Sequence, residues 1–289
     1  MSNTGTDIPN DRQPDRAALV SRARALCPHL SPDDTHVSPI VGGRDEALDR
    51  LGWVDPVAYG RTRNHLDGAV TQLSPFIRHG AVSLAEVRDT VLSAVGNAND
   101  AEKMVQQLAW RDYWQRLYVQ LGEGIWEDRE PYKTGFGPED YADTLPDDIA
   151  QGRTGVASMD GFIRELTETG WLHNHARLYL ASYVCHFRRV KWQAGARFFL
   201  SHLLDGDPAS NNLSWQWVAS TFSHKPYYFN LDNLDRFAGA SGVDTRYRTN
   251  KIFAGSYEEL HLRLFPNLPS LVPRQDGPSN RKRKKGRKI

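Results

Sequence analysis

The sequence predicts an all-α protein that folds as one domain. Three observations support this prediction: helical patterning is dense from Gly42 onward, strand-like alternation is scarce, and neither an internal repeat nor strand–helix alternation is present. A chain of 289 residues can bury a sizeable core. We expect a polar leader over residues 1–41, a helical domain over residues 42–267, and a basic tail that contains prolines over residues 268–289.

The composition is typical of soluble globular proteins. Hydrophobic residues make up 39% of the chain and charged residues 25%, and no apolar run approaches the roughly 18 residues that a membrane helix needs. The polar N-terminus lacks the apolar segment of a secretory signal. Cys27 and Cys185 are too few for a disulfide framework or a four-thiolate metal site. We therefore expect a cytoplasmic protein without membrane association.

The first helical signals are short. Residues 16–26 form a helical candidate within the leader. The sequence from Ser83 to Glu86 has the spacing of a capping box, so it predicts that a helix begins there, and Gly96 predicts its end.

A longer helix is predicted over about residues 100–121. Apolar residues recur there at every fourth position, which predicts one buried face made of Val105, Ala109, Tyr113 and Leu117. Residues 127–155 are rich in glycine and proline, so they predict a long irregular connection with one short helix.

Helical patterning then returns over residues 160–167, 171–187 and 193–204. Gly170 separates the first two helices, and a tight turn over residues 205–208 ends the third. Because all of these elements are helical, the fold class remains all-α.

Common catalytic and metal-binding motifs are missing from the sequence. No glycine-rich phosphate loop is present, and nothing resembles a nucleophile elbow. His173 and His175 flank Asn174, but no carboxylate or cysteine spacing completes a ligand set. We expect no metal site.

Polar residues stand out in the predicted helix over residues 171–187. Asn174 and Arg177 are three positions apart, so they lie on one face of a helix that is otherwise largely apolar. A buried arginine needs an anionic partner, and Asp205 and Asp207 are the nearest candidates. Such a pair either contributes to a binding site or only joins two helices.

Two further features favour a binding site. The paired amides Asn211 and Asn212 are followed by Trp215-Gln-Trp217. Amides, carboxylates and arginine around an apolar hollow suit a planar heterocycle with several donors and acceptors, such as a flavin. Taken singly, Trp171 and Trp192 are also typical of core packing.

The order of these motifs resembles one protein family. The run over residues 155–219 contains TGW-x-HN-x-x-R, then W-x-x-G-x-R-F-F, then DGD-x-x-x-NN-x-x-WQW, and it is similar to the FAD-binding domain of DNA photolyases and cryptochromes. Segments around Tyr59, Thr71 and Trp110 resemble the same family, so the resemblance extends back to Gly42. It implies a helical FAD-binding domain.

The resemblance also implies which residues hold the cofactor, FAD, in a folded form. Hydroxyl and guanidinium groups would hold its phosphates and ribityl chain. Asp205 would pair with Arg177 beside the isoalloxazine ring, and Asn211 would face the flavin N5 atom and affect the redox state. The implied residues are Tyr59, Arg63, Thr71, Ser74, Arg111, Asn174, Arg177, Asp205, Asp207 and Asn211.

Two tryptophans match positions through which electrons reach the flavin in this family. Trp192 and Trp215 occupy those positions. The third, outermost tryptophan has no counterpart near residues 139–141. Tyr141 is one candidate for its place, and a shorter chain of two tryptophans is the alternative.

Trp110 and Trp217 match the two indoles that hold a flipped-out pyrimidine dimer in photolyases, which suits a damaged, poorly stacked base. Gln107 stands where cyclobutane-dimer photolyases carry a glutamate, and it resembles (6-4) photolyases. Asn174 and Leu178 resemble cyclobutane-dimer enzymes, because the paired histidines of (6-4) enzymes are missing. The implied lesion pocket of Trp110, Trp217 and Gln107 therefore has a mixed signature.

Two regions outside this domain bear on partners. The α/β antenna domain of the family is expected to be missing, because only 41 residues lie before Gly42. The protein would then use light absorbed by its own flavin unless a partner, which is unknown, supplies an antenna. Seven of the eight residues from Arg281 to Lys288 are Lys or Arg. This basic run either solubilises the chain or contacts the phosphates of DNA.

The leading hypothesis is an FAD-dependent, light-driven lyase that splits pyrimidine dimers in damaged DNA, with single-stranded DNA as a possible substrate. Cyclobutane dimers are favoured over (6-4) products. Electron transfer from the excited, reduced flavin would split the dimer, and the electron would then return. The alternatives are a cryptochrome-like blue-light receptor and a flavin redox protein that does not act on DNA.

Overall fold

The computed structural model describes residues 15–28 and 37–269. The chain divides into two units, residues 1–38 and residues 39–289. In the described part of the first unit, helix α1 (Arg16–Leu26) begins after Asp15, whose carboxylate accepts a hydrogen bond from the backbone N–H of Ala17 at 3.0 Å. The helix predicted in the leader is confirmed. The basic run over residues 281–288 lies outside the described residues.

The described part of the second unit is helical. Its α-helices, in chain order, are α2 (Arg44–Gly52), α3 (Pro56–Thr62), α4 (Ser74–Arg78), α5 (Leu84–Ser93), α6 (Glu102–Leu121), α7 (Asp147–Ala150), α8 (Ala157–Thr169), α9 (Asn174–Ser182), α10 (Trp192–His202), α11 (Pro208–Ala219), α12 (Leu231–Ala238) and α13 (Tyr257–Leu264). Short 3₁₀ helices cover Ala98–Ala101, Gly122–Trp126, Pro138–Asp140, Gly239–Ser241, Tyr247–Thr249 and Lys251–Phe253, and a π-helix covers Tyr183–Phe187.

The all-α prediction is confirmed over the described residues. There the only extended pairing is a bridge between Ala142 and Val190, flanked by hydrogen bonds from Ala142 N to Arg189 O at 2.8 Å and from Lys191 N to Ala142 O at 2.9 Å. This bridge ties the irregular connection over residues 127–155 to the start of α10. Two short helices lie in that connection, Pro138–Asp140 and α7, where one was predicted.

Helix ends follow the capping signals of the sequence. Ser83 and Glu86 form the predicted capping box, although α5 ends at Ser93 rather than at Gly96. Gly170 ends α8 in the left-handed region at φ 70°, and its backbone oxygen accepts a hydrogen bond from Leu204 N at 2.8 Å. This contact holds the turn after α10 beside the start of α9.

The predicted buried face of α6 is wrong. Ala109 and Tyr113 are exposed, whereas Met104 is buried and Leu108 and Arg111 are half-buried. A spacing of four residues drifts by about 40° at each step, because an α-helix has about 3.6 residues per turn. Residues spaced by four therefore turn away from α3 and α11, the helices against which α6 packs.

Three hydrophobic clusters stabilise the described part of the helical unit, and the smallest is formed by Leu260, Leu264 and Phe265. The largest one joins α8, α9, α10 and α11 and includes the fully buried side chains of Phe162, Tyr179 and Trp192. The second one joins α2, α4, α5 and the start of α6. The helix predicted over residues 171–187 begins only at Asn174 and continues as a π-helix from Tyr183. Packing of α9, α10 and α11 positions the polar residues described next.

Candidate cofactor site

A cavity of about 250 Å³ opens between α3, the segment that leads into α4, the helices α6 and α9, and the turn between α10 and α11. Nine of the ten residues that the sequence implies for FAD binding line it, namely Tyr59, Thr71, Ser74, Arg111, Asn174, Arg177, Asp205, Asp207 and Asn211. The structure therefore brings together residues that are far apart in the sequence.

Arg63 is the exception, because it does not line this cavity. It lies at the C-terminal end of α3, and its guanidinium carbon is 6.0 Å from the centre of the Tyr59 ring. Burial raises the pKa of Tyr59, while the nearby charge of Arg63 opposes this rise. Arg63 therefore lies beside a residue that lines the cavity.

Arg177 and Asp205 form the predicted ion pair. The distance from Arg177 Nη2 to Asp205 Oδ2 is 2.9 Å, and Arg177 Nε donates to the Leu172 carbonyl at 2.8 Å. Asp205 is only 7% exposed, and its other oxygen, Oδ1, has no hydrogen-bond partner among the described residues. A buried carboxylate oxygen without a donor is costly, so a ligand with a suitable N–H would stabilise this site.

Asp207 has a different role from Asp205. It caps the start of α11, where its Oδ2 atom accepts hydrogen bonds from Ser210 N at 3.1 Å, from Ser210 Oγ at 2.7 Å and from Gln115 Nε2 on α6 at 2.7 Å. Burial alone would raise the pKa of Asp207, but these bonds and the charge of Arg111 lower it below its ordinary value. The carboxylate is therefore ionised and fixed in place.

Of the two arginines in the described lining of the cavity, Arg177 is paired and Arg111 is not. The Arg111 guanidinium is half-buried, and within residues 15–28 and 37–269 it makes no hydrogen bond or ion pair. Burial lowers its pKa, while the charges of Asp207 and Asp205 oppose this effect. A half-buried cation that lines a cavity favours an anionic ligand.

Asn211 offers an acceptor to the cavity. Its amide nitrogen donates to the Ala196 carbonyl at 3.0 Å and to Asn212 Oδ1 at 3.0 Å. Because both N–H groups are used within the protein, the amide oxygen is the atom that remains for a ligand.

His173 lines the same cavity, although the sequence suggested it only as a metal ligand. It caps α9: its Nδ1 accepts a hydrogen bond from His175 N at 3.0 Å, so the ring proton resides on Nε2. Burial, assisted by His175 and Arg177, lowers the pKa of His173 to about 4. Its Nε2–H is thus a neutral donor without a partner among the described residues. The feature of the sequence that could have pointed to His173 is its position directly before the first residue of α9, where a side chain can cap the helix.

Trp215 lies behind this site. It lines a smaller cavity of about 100 Å³ that shares Asn174, Arg177 and Asn211 with the larger one. Its ring contacts Phe199 edge-on, with ring centres 4.9 Å apart. Trp215 therefore lies at the smaller cavity, which shares residues with the cofactor cavity.

Trp192 is fully buried and begins α10. Its Nε1 donates to Asp128 Oδ1 at 2.6 Å, and its ring is parallel to that of Trp126, with centres 6.3 Å apart and an interplanar angle of 5°. Trp126 was missed by the sequence reasoning, because it is distant from Trp192 along the chain. Tyr141, the proposed substitute for a third tryptophan, is buried and stacks on Tyr132 at 4.6 Å.

Trp110 and Trp217 lie on the packed helices α6 and α11, and both are unusually exposed for indoles, at 46% and 43%. Trp110 stacks on Trp114 at 5.2 Å, and Trp217 packs on Tyr227 at 5.4 Å. Gln107 is half-buried, one turn before Trp110 on α6. Both indoles are therefore accessible from solvent on helices that pack against each other.

In residues 15–28 and 37–269, no group of three or more His, Cys, Asp or Glu side chains is arranged to hold a metal ion. None of the described helices combines the length and the apolar character that crossing a bilayer requires.

Comparison with known proteins identifies the family and the fold. The family model for the FAD binding domain of DNA photolyase matches residues 104–249. A deoxyribodipyrimidine photo-lyase of Streptomyces griseus is 36% identical over 192 residues, which cover 64% of this chain and 41% of that protein. The chain thus spans less than half the length of this relative.

Solved structures give the same result. An archaeal photolyase from Sulfolobus tokodaii, crystallised with two FAD molecules, matches with a TM-score of 0.57 and 29% identity over 69% of this chain and 45% of that one. A class III photolyase from Agrobacterium tumefaciens shares the fold, with a TM-score of 0.61 and 23% identity over 78% and 55% of the two chains. Since the family model covers half of the sequence, this chain belongs to the photolyase/cryptochrome family, and its helical unit is the FAD-binding domain of that family.

Proposed function

We propose that this protein uses light absorbed by bound FAD to split pyrimidine dimers in DNA, and that cyclobutane dimers are its preferred lesion. One observation carries the proposal: the cavity that gathers nine of the implied FAD residues lies between α6 and α11, which also present the exposed indoles of Trp110 and Trp217.

The groups around the cavity fit FAD. The diphosphate would pair with the unpaired guanidinium of Arg111 and accept hydrogen bonds from the hydroxyls of Thr71 and Ser74. The polar edge of the ring system would satisfy Asp205 Oδ1 and His173 Nε2, which are buried atoms without a partner in the described lining of the cavity. Together these groups bind the anionic and the polar ends of one ligand.

Asn211 favours the reduced cofactor. Its free amide oxygen accepts hydrogen bonds, and the flavin N5 atom carries a proton in the reduced form but not in the oxidised form. An acceptor at this place therefore stabilises the form that donates electrons. When bound and reduced, FAD supplies on illumination the electron that breaks the two C–C bonds between the pyrimidines and that returns afterwards.

Trp215 and Trp192 would carry electrons to the cofactor when it must be reduced. The carboxylate of Asp128 accepts a hydrogen bond from Trp192 Nε1 at 2.6 Å, so it stabilises positive charge on that indole when an electron leaves. The parallel ring of Trp126 is the next aromatic group in contact with Trp192.

The lesion would stack against Trp110 and Trp217, because aromatic faces hold bases that have left the helix. Gln107 would donate a hydrogen bond to a pyrimidine carbonyl. The choice of cyclobutane dimers is supported by Leu178, whose apolar side chain lines the smaller cavity and cannot transfer a proton. The substrate is damaged DNA, single-stranded where the lesion is already unpaired.

The test uses the purified full chain. Its flavin content is recorded by absorbance, the flavin is reduced, and oligonucleotides that carry either one cyclobutane dimer or one (6-4) product are illuminated and analysed by chromatography. We expect loss of the cyclobutane dimer only. Trp110→Ala should abolish repair and leave FAD bound.

Absence of flavin would contradict the whole proposal. Bound flavin with photoreduction but without repair of either lesion would favour the blue-light receptor, a role that Gln107 in place of a carboxylate also suits.

A further inference from the structure

A second large cavity, of about 490 Å³, lies outside the cofactor site. We call it the tyrosine groove and define it by the residues that line it: Lys133, Trp217, His224, Lys225, Pro226, Tyr227, Tyr228, Tyr257, His261 and Leu268. Trp217 is shared between this groove and the proposed lesion surface. The groove therefore continues the surface on which a damaged base would stack.

Aromatic rings form most of the groove, and contacts beneath them hold them in place. Tyr228 packs edge-on against Tyr257, with centres 5.7 Å apart, and against Phe265 at 5.4 Å. The Tyr228 hydroxyl donates to the backbone oxygen of Tyr257 at 3.3 Å. Tyr257 is 40% exposed, so its ring face is open to a ligand. Fixed, open aromatic faces suit stacking with flat rings.

The charges along the groove are positive. No Asp or Glu lines it, whereas Lys133, His224 and Lys225 do. Lys133 is paired with Glu130. The side chains of His224 and Lys225 are exposed, and in the described part of the chain neither makes a hydrogen bond or an ion pair. An uncompensated lysine beside aromatic rings favours a ligand that combines flat rings with phosphates.

We propose that the tyrosine groove binds single-stranded DNA, and that it holds the nucleotides next to the base stacked on Trp217. The path of the DNA strand from the groove to Trp217 rests on the proposed function, in which Trp217 holds the lesion. Paired bases bury their faces in a duplex, so only unpaired nucleotides can stack on Tyr257. Lys225 would contact the phosphate between the nucleotide in the groove and the base at Trp217.

The test measures binding in the dark, without repair. A fluorescent, undamaged oligothymidylate is titrated with the full chain, and the same oligonucleotide annealed to its complement serves for comparison. Tyr257→Ala should weaken single-strand binding by about 5-fold to 150-fold, because a base stacked on an aromatic side chain contributes about 1–3 kcal/mol. Tyr257→Phe, which keeps the ring, should bind as the wild type does.

Lys225→Ala should lower the salt dependence of single-strand binding by about 0.7 in the slope of log K against log salt, as expected for one lost phosphate contact. Matched controls are Tyr247→Ala and Lys251→Ala, which remove an exposed tyrosine and an exposed lysine outside the groove. Both controls should bind as the wild type does.

Unchanged single-strand affinity in Tyr257→Ala would overturn the inference, and so would an equal loss for single strand and duplex. A chromophore other than FAD that leaves the purified chain only in Tyr257→Ala would also overturn it, because the groove would then be a small-molecule site. The repair assay is independent of these results. If the protein repairs dimers but Tyr257→Ala has no effect on binding, the proposed function stands and the groove proposal fails. If Tyr257→Ala weakens single-strand binding but the protein repairs no dimer, the groove proposal stands and the proposed function fails.

Discussion

Gly195 lies directly against the indole of Trp215. A Cβ atom at Gly195 would stand 2.2 Å from Trp215 Cη2 and 2.4 Å from Cζ3, well inside van der Waals contact. The absence of a side chain at this position allows α10 to pack on α11 and sets the place of the ring at the smaller cavity beside the cofactor site.

Gly195→Ala should therefore destabilise the protein by about 1–3 kcal/mol, as overpacking of a tight core does. It should also shift Trp215 and slow photoreduction of the flavin. Denaturant unfolding and flavin absorbance under illumination measure these two effects.

Gly161→Ala is the matched control, because Gly161 also lies in a helix, α8, but has open space around its Cβ position. There alanine should stabilise the helix by about 0.5–1 kcal/mol. If Gly195→Ala were as stable as Gly161→Ala, the packing described here would be wrong.

Arg177→Ala should release FAD. The change leaves the buried Asp205 without its cation, and breaking a buried pair costs about 3–5 kcal/mol. The measurement is the ratio of flavin to folded protein after gel filtration. Arg188→Ala is the control, since Arg188 pairs with Asp148 at 2.8 Å away from the cavity and is similarly exposed. The control should lose stability yet keep its flavin; equal flavin loss in both variants would count against a specific role for Arg177.

Trp192→Phe should slow photoreduction about tenfold or more, since phenylalanine is much harder to oxidise and each 1.4 kcal/mol of added barrier is about a factor of ten. Flavin binding should not change, because Trp192 does not line the cofactor cavity. Trp53→Phe, at an exposed position, serves as the control. Photoreduction at the wild-type rate in Trp192→Phe would exclude the proposed route.

The free energy of unfolding should decrease as the pH is lowered from about 6.5 to about 4, and His186 should contribute to this decrease. Burial lowers the pKa of His186 to about 4, and its Nε2–H donates to the Val218 carbonyl at 2.9 Å. The unfolded chain takes up the proton first as the pH falls below about 6.5, so the folded state loses up to about 1.4 kcal/mol per pH unit.

Urea unfolding at several pH values measures this slope. His186→Gln keeps a hydrogen-bond donor but does not titrate, so its slope should be shallower than that of the wild type. A slope equal to that of the wild type would assign the pH dependence to other groups.

Local chemistry explains what the sequence could predict. The capping box at Ser83 and the break between helices at Gly170 depend on neighbouring residues, and both were predicted. The cost of burying an unpaired charge predicted Asp205 or Asp207 as the partner of Arg177, and the family resemblance implied Asp205.

Contacts between distant segments explain what the sequence could not predict. The buried face of α6 depends on α3 and α11 rather than on its own pattern, which mixes large aromatic and polar residues. Trp126 meets Trp192 only because the irregular connection folds back on α10. The π-helix that begins at Tyr183 was not predicted, because the pattern over residues 171–187 is that of an ordinary helix.

One carboxylate oxygen beside the cofactor cavity connects the two helices that carry the exposed indoles. Asp207 Oδ2 joins Gln115 on α6 to Ser210 at the start of α11, and these helices carry Trp110 and Trp217. If DNA binds as proposed and changes the angle between α6 and α11, the hydrogen bond from Gln115 to Asp207 at the edge of the cofactor cavity would be strained. We therefore expect the flavin spectrum to change when DNA is added.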